Sequence, residues 1–242
     1  MKRQAISIVL FDLDDTLHDD TAASLDAAHE VATQIALEHG IDALALKRAY
    51  IAQANGFWSR LSAENLQHRL SAVRERLWHS ALEEVGLGAA GLATRSAERY
   101  NVYRRHHFAL FPGALELLRS LRAGGKKLGL VTNGFSETHR EKIELLQLGD
   151  AFDAVFIADE VGMLKPDPLL FAHACTTLGG SPRHSAMVGD RYDRDIAGAR
   201  EAGLYTLWLN IRNETLPAGS PPPDAVCQTL LEVGPLLEAA SR

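Results

Sequence analysis

The second half of the chain alternates short apolar runs with helical stretches, and this rhythm most constrains the fold. The runs "KLGLVTN" (127–133), "AVFIAD" (154–159), "SAMVGD" (185–190), "LYTLWLN" (204–210) and "DAVCQ" (224–228) have strand character. Between them lie "SETHREKIELLQLG", "DPLLFAHACTTLG" and "DRDIAGAREAG", which read as helices. Strand and helix in alternation predict a parallel sheet covered on both faces, a three-layer α/β/α core of Rossmann-like type. One more run of this kind, "AISIVLF" (5–11), stands at the other end of the chain. Preceded by Met1, Lys2 and Arg3 it faintly resembles a signal peptide, but the run is short, Asp12 interrupts it and no small-residue cleavage site follows, so it reads as a buried strand.

About ninety residues separate that first strand from the others, and they read as helix throughout. "TAASLDAAHEVATQIALEHG" carries apolar residues at helical spacing and closes on Gly40; "LQHRLSAVRERLWHSALEEVG" repeats the pattern and closes on Gly86; "TRSAERYNVYRRHHFAL" follows. The simplest arrangement is an α/β core from residues 1–19 and 110–242 with an α-helical domain, 20–109, inserted after its first strand.

Open α/β sheets bind ligands beyond the carboxyl ends of their strands. The first strand ends in Asp12-Leu13-Asp14-Asp15-Thr16, the second in Thr132-Asn133-Gly134; the third leads through Asp159-Glu160 to Lys165, and the fourth ends in Gly189-Asp190, with Asp195 close behind. Two carboxylate clusters, a hydroxyl with an amide, and one lysine therefore converge on one rim. Pro166 disfavours helical backbone at the residue before it, so Lys165 is expected to be extended, with Asp167 capping a helix that starts at Pro168.

Composition narrows the partners. The net charge of −6 supplies no basic field for DNA, RNA or anionic lipid, so a nucleic acid polymer is not expected. No stretch approaches the roughly 18 to 20 apolar residues of a membrane span. The two cysteines, Cys175 and Cys227, lack metal spacing and suit reduced thiols in a cytoplasm.

The pieces "DLDDT", "VTNG", "LKPDP" and "GDRYDRD", in that order and at strand ends, resemble the haloacid dehalogenase-like hydrolases. The likeness covers nearly the whole chain and falls in the subgroup whose helical cap sits between the first and second motifs. It implies a phosphatase. A phosphate monoester is a dianion whose charge must be neutralised while a nucleophile attacks in line. Asp12 is the candidate nucleophile, forming an aspartyl-phosphate. Asp14 is suited to protonate the leaving alkoxide and then to activate water. Such crowding of acids is expected around a hard dication with oxygen ligands, Mg²⁺. By resemblance Asp12 and Asp190 bind it through side chains and Asp14 through its main-chain carbonyl, with Asp195 (or Asp193) supporting the site from the same loop. Lys165 would neutralise nucleophile and phosphate, and Thr132 with the N–H of Asn133 would bind phosphate oxygens. Thr16 is read as a hydroxyl that fixes the loop.

Other residues take plainer readings. Arg104-Arg105-His106-His107 is expected to be a solvated helix face. Phe57, Trp58, Trp78 and Tyr100 are expected in the core of the helical domain, and His18, just after the first motif, carries no assignment.

The favoured function is a Mg²⁺-dependent phosphatase acting on a small phosphomonoester, a nucleotide or sugar phosphate, as a cytoplasmic monomer or homodimer. A phosphomutase of the same superfamily is the alternative. A 2-haloacid dehalogenase is a weaker one, because that chemistry needs neither Asp14 nor the Asp190 cluster. Within the family the loops resemble branches containing nucleoside 5′-monophosphate phosphatases and N-acylneuraminate-9-phosphatases, with phosphoglycolate phosphatases further away.

Overall fold

A computed structural model describes residues 5–241; the Met1-Lys2-Arg3 part of the signal-like segment lies outside them. The chain divides into two compact units. One takes the chain up to Asp19 and from Leu110 onwards, the other spans Asp20–Ala109.

The first unit is built on the strands β1 (Ile8–Phe11), β2 (Lys127–Thr132), β3 (Ala154–Ile157), β4 (Ser185–Gly189), β5 (Tyr205–Leu209) and β6 (Ala225–Cys227). They form one six-stranded sheet in the order β3-β2-β1-β4-β5-β6, and every pairing is parallel. β1 sits inside the sheet and all four of its residues are buried, which is why "IVLF" is apolar without alternation. The strand order reverses between β1 and β4, and the crevice at such a switch point is where sheets of this kind bind ligands. In register, Phe11 lies opposite Leu130 of β2 and Val188 of β4, so the residues following these strands emerge on one edge.

Helices flank the sheet: α5 (Ala114–Ala123), α6 (Ser136–Leu145), α7 (Ala158–Val161), α8 (Pro168–Thr177), α9 (Ala197–Glu201) and α10 (Val233–Ala240). α8 seats Leu170, Phe171, Ala174 and Cys175 against Ile8, Leu10, Val131 and Met187 of the sheet. Each of the larger ones, Leu170 and Phe171 among them, stabilises the fold by about 1.5–3 kcal/mol. As expected, Asp167 caps α8 by accepting the N–H of Leu169 at 2.9 Å, and Pro168 opens the helix. Cys175 and Cys227 are free and buried, and burial pushes the Cys227 thiol up to about 12, with the Glu232 charge adding to it.

Three elements differ from the sequence reading. The "AVFIAD" strand stops at Ile157, and Ala158 and Asp159 open α7, so that Asp159 accepts the N–H and hydroxyl of Ser136 at 2.7 and 2.9 Å and caps α6. The helix over "DRDIAGAREAG" begins with a π-helical turn, Tyr192–Ile196, in which the Ile196 N–H reaches the Arg191 carbonyl at 3.4 Å. The terminal helix α10 had no counterpart in the reading.

The second unit contains α1 (Asp20–His39), α2 (Ala43–Ser59), α3 (Leu70–Glu84) and α4 (Leu92–His106). Trp78 and Tyr100 lie in its core as expected, with Tyr50 stacked on Trp78 at 3.9 Å. Phe57 and Trp58 are only half-buried, edge to face at 5.0 Å. The solvated face expected at 104–107 is corrected at one end. Arg104 is buried and pairs with Asp20, while His107 sits 2.5 Å from Glu30. Four successive helical residues do point different ways, and this is what turns Arg104 inward. Among the described residues, no helix is long and apolar enough to cross a membrane.

Candidate active site

Asp12 is the first residue beyond β1. Its N–H continues the sheet ladder to the Val188 carbonyl at 3.0 Å, and its carboxylate meets the Lys165 ammonium at 2.6 Å. Lys165 is buried and bridges to Asp195, also buried, at 2.7 Å. Asp195 accepts the N–H of Arg191, the residue before the π-helical turn, at 2.9 Å through its other oxygen. Asp193 is elsewhere: it forms an exposed ion pair with Arg191 at 3.0 Å. Of the two acids in that loop, Asp195 therefore stands at the site.

Asp190 follows β4. Thr16 fixes it, accepting the Asp190 N–H at 3.0 Å and donating to its carboxylate at 3.3 Å, while the Trp208 indole donates to the Asp190 carbonyl at 2.7 Å. Carboxylate oxygens of Asp12, Asp190 and Asp195 lie within 4.8 Å of one another. Packing acids this closely has a clear electrostatic effect. Burial, then the charges of Asp195 and Asp12, raise the Asp190 carboxyl to about 9. Burial raises Asp12 to about 7 against the opposing pull of Lys165. For Lys165 the balance runs the other way: burial lowers the ammonium, but Asp12 and Asp195 together hold it above its ordinary value. One ammonium among three acids leaves a surplus of negative charge in a buried place. Hard oxygen donors carrying such a surplus suit a divalent cation of the Mg²⁺ type, so the donor set fits.

Thr132, at the end of β2, is buried, and Asn133 follows it. The Asn133 side chain is committed to Lys165. Its carbonyl accepts the Lys165 N–H at 2.7 Å and its amide donates to the Lys165 carbonyl at 2.8 Å. The structure thus brings the second and third motifs together through the main chain of the lysine, a link the sequence reading did not contain.

Asp14 is held apart from the three-acid cluster. Both of its carboxylate oxygens accept from the Lys142 ammonium at 2.7 Å, and the His139 ring lies 3.5 Å away. Both partners are buried residues of α6. Sequence reasoning missed them, although a signal was there: His139, Lys142, Ile143 and Leu146 recur at helical spacing, so two polar residues interrupt an inward-facing stripe. His18 is fully buried, and its main-chain carbonyl accepts the N–H of Asp15 at 2.7 Å.

Known proteins with related sequences share this arrangement of chain. The family described as haloacid dehalogenase-like hydrolase matches residues 6–203. A phosphoserine phosphatase of Thermus thermophilus is 35% identical over 96% of this chain and 97% of its own length. The N-acylneuraminate-9-phosphatase of Mus musculus is 32% identical over 97% and 94%. Among solved structures, a 2-haloacid dehalogenase of Pseudomonas syringae is 29% identical with a TM-score of 0.65, covering 97% of this chain and 98% of that one. Magnesium-bound YfnB of Bacillus subtilis shares the fold with a TM-score of 0.77 at 24% identity, over 97% and 99%. With the motif residues gathered on one edge of the sheet and the match extending over most of its length, the chain belongs to the haloacid dehalogenase-like hydrolases.

Proposed function

We propose that this protein is a phosphatase that hydrolyses a small phosphomonoester through an aspartyl-phosphate on Asp12, with Mg²⁺ held by the Asp12 and Asp190 carboxylates. One observation carries the reading: Lys165 bridges Asp12 and Asp195 beside Asp190, while a second acid, Asp14, stands two residues on and outside that cluster. A phosphate dianion needs positive charge and an in-line nucleophile, and both are available here. The two full-length relatives named as phosphatases support it.

In the first half-reaction an Asp12 oxygen bonds to phosphorus as the ester P–O bond breaks. The bonding pair stays on the leaving oxygen, which takes the Asp14 proton. In the second, Asp14 removes a proton from water, the water oxygen bonds to phosphorus, and the acyl-phosphate P–O bond breaks with its pair returning to Asp12. Lys165 offsets charge on nucleophile and phosphate in both halves. Thr132 and the Asn133 N–H are assigned to the phosphate oxygens. The ion, when bound, supplies positive charge against the same phosphate oxygens. Asp14 contributes its main-chain carbonyl to that ion, and Asp195 keeps Lys165 in place.

The helical unit, Asp20–Ala109, is assigned the part of a cap that selects the leaving group. A cytoplasmic monomer or homodimer is the corresponding expectation. The test is phosphate release from a panel of phosphoserine, N-acylneuraminate 9-phosphate, nucleoside 5′-monophosphates and sugar phosphates, with Mg²⁺ and with EDTA. Isomerised sugar phosphate without phosphate release would show a mutase instead. Halide release from 2-haloacids with EDTA present would show a dehalogenase.

A further inference from the structure

Asp12 and Asp14 leave β1 two residues apart, yet each is tied to its own lysine from a different part of the fold. Lys165 reaches Asp12 from the loop before α8. Lys142 reaches Asp14 from the second turn of α6, and is itself fully buried. A buried ammonium requires a carboxylate partner. Here the partner is still 29% exposed at its side chain, so the lysine is enclosed while the acid it holds stays open to solvent.

The grip is two-pronged. With both oxygens at 2.7 Å from one nitrogen, the carboxylate faces the ammonium squarely. One turn earlier on α6 the His139 ring closes the same side, 3.5 Å from Asp14 Oδ2, with its Nδ1 3.0 Å from the Phe135 carbonyl. That ring turns its Cε1 edge towards the chain at Gly134, where a Cβ would stand 2.3 Å from that atom. The glycine after Asn133 therefore admits the histidine that borders Asp14. α6 is in turn anchored at its start by Asp159.

We propose that Lys142, steadied by His139, is the positioning residue that keeps the Asp14 carboxylate out of the Asp12–Asp190–Asp195 cluster and reserves it for proton transfer at the leaving oxygen. The inference rests on the phosphatase reading of the site. It divides the labour between two neighbouring acids by giving each a separate cation. When the ester P–O bond breaks and the leaving oxygen takes the Asp14 proton, Asp14 becomes the carboxylate that Lys142 binds through both oxygens. In that state it stands ready to take a proton back from water.

A leaving group that departs without help separates this role from a merely structural one. kcat/KM reports the half-reaction in which the leaving group departs, so it is measured for phosphoserine, an alkyl ester, and for p-nitrophenyl phosphate, whose phenolate needs little protonation. The Lys142→Met variant is expected to lose about 100-fold on phosphoserine and at least tenfold less than that on p-nitrophenyl phosphate. Lys142→Arg, which restores a cation, is expected to recover part of the phosphoserine activity. His139→Gln leaves the lysine in place and should show the same ordering with smaller losses; it decides the matter if Lys142→Met does not fold in a thermal melt. Equal losses on both esters would overturn the positioning role while leaving the phosphatase reading intact. If phosphoserine is not hydrolysed, the panel's best alkyl ester takes its place in this comparison; a wild-type protein that releases phosphate from no ester of that panel would overturn the reading and this inference with it.

Discussion

Asn133 clasps Lys165 on both sides of its main chain, accepting from its N–H at 2.7 Å and donating to its carbonyl at 2.8 Å. The lysine side chain is then committed in two directions, to Asp12 and to Asp195. An amide at the end of one strand thus determines where a cation from another loop stands.

Removing that clasp tests it directly. Asn133→Ala should cost about 1–3 kcal/mol of stability through the unpaired groups it leaves. Loss of lysine position should lower kcat/KM about 10- to 100-fold. Denaturant unfolding together with p-nitrophenyl phosphate kinetics reads both. Full activity in a destabilised variant would show that Lys165 does not depend on Asn133.

Asp12→Asn should abolish turnover, with a loss of at least about 10⁴-fold, and without unfolding the protein. The folded state already disfavours charge at this position, since burial holds Asp12 near 7. A neutral side chain of the same shape should therefore leave the melting temperature at pH 8 in EDTA unchanged or higher. Near-full activity in this variant would exclude the covalent route.

The same raised acids make stability depend on pH in a defined direction. Asp12 near 7 and Asp190 near 9 bind protons more tightly when folded than when unfolded, where a carboxyl lies near about 4. Folded protein then carries more protons across that window, so stability in EDTA should fall as pH rises from about 4 towards 9. Mg²⁺ offsets the accumulated negative charge, and the rise in melting temperature on adding it should be larger at pH 8.5 than at pH 6. EDTA should abolish turnover and Mg²⁺ restore it. A Mg²⁺ effect that is flat with pH would remove Asp190 from the ion site.

Gly198 carries a steric prediction. A Cβ at this position in α9 would stand 2.2 Å from the Pro166 carbonyl oxygen, next to Lys165 in the chain. Gly198→Ala should destabilise by about 1–3 kcal/mol as the two segments separate. It should also reduce kcat, because the displaced loop carries the lysine. Wild-type melting and kinetics would show that the loop yields at no cost.

The strands, their parallel arrangement and the acids at their ends were readable because each depends on local pattern. A buried central strand such as "IVLF" must be apolar throughout, and an α/β sheet must place Asp12, Thr132 and Asp190 on its carboxyl edge. The Asp167 cap was readable for the same reason, being a contact between near neighbours in sequence. Elements whose boundaries depend on partners were not. Ala158–Val161 left the strand for a helix that places Asp159 over α6, and Tyr192–Ile196 took a π-helical turn whose Asp195 meets Lys165.

Which acids stand at the candidate site was thus written locally, in runs of apolar residues ending in acids, because backbone geometry alone converts that pattern into a line of strand ends. Which cation serves which acid was decided only by the folded chain. Lys142 stands 128 residues from Asp14, and Asn133 stands 32 from Lys165. Neither pair has a spacing that a linear pattern encodes; the adjacency of β1 and β2 with the rotation of α6 about its axis brings the first within hydrogen-bonding distance, and the adjacency of β2 and β3 the second. Arg104 makes the same point in the helical unit, where burial against Asp20 follows from packing that a run of four basic residues does not disclose.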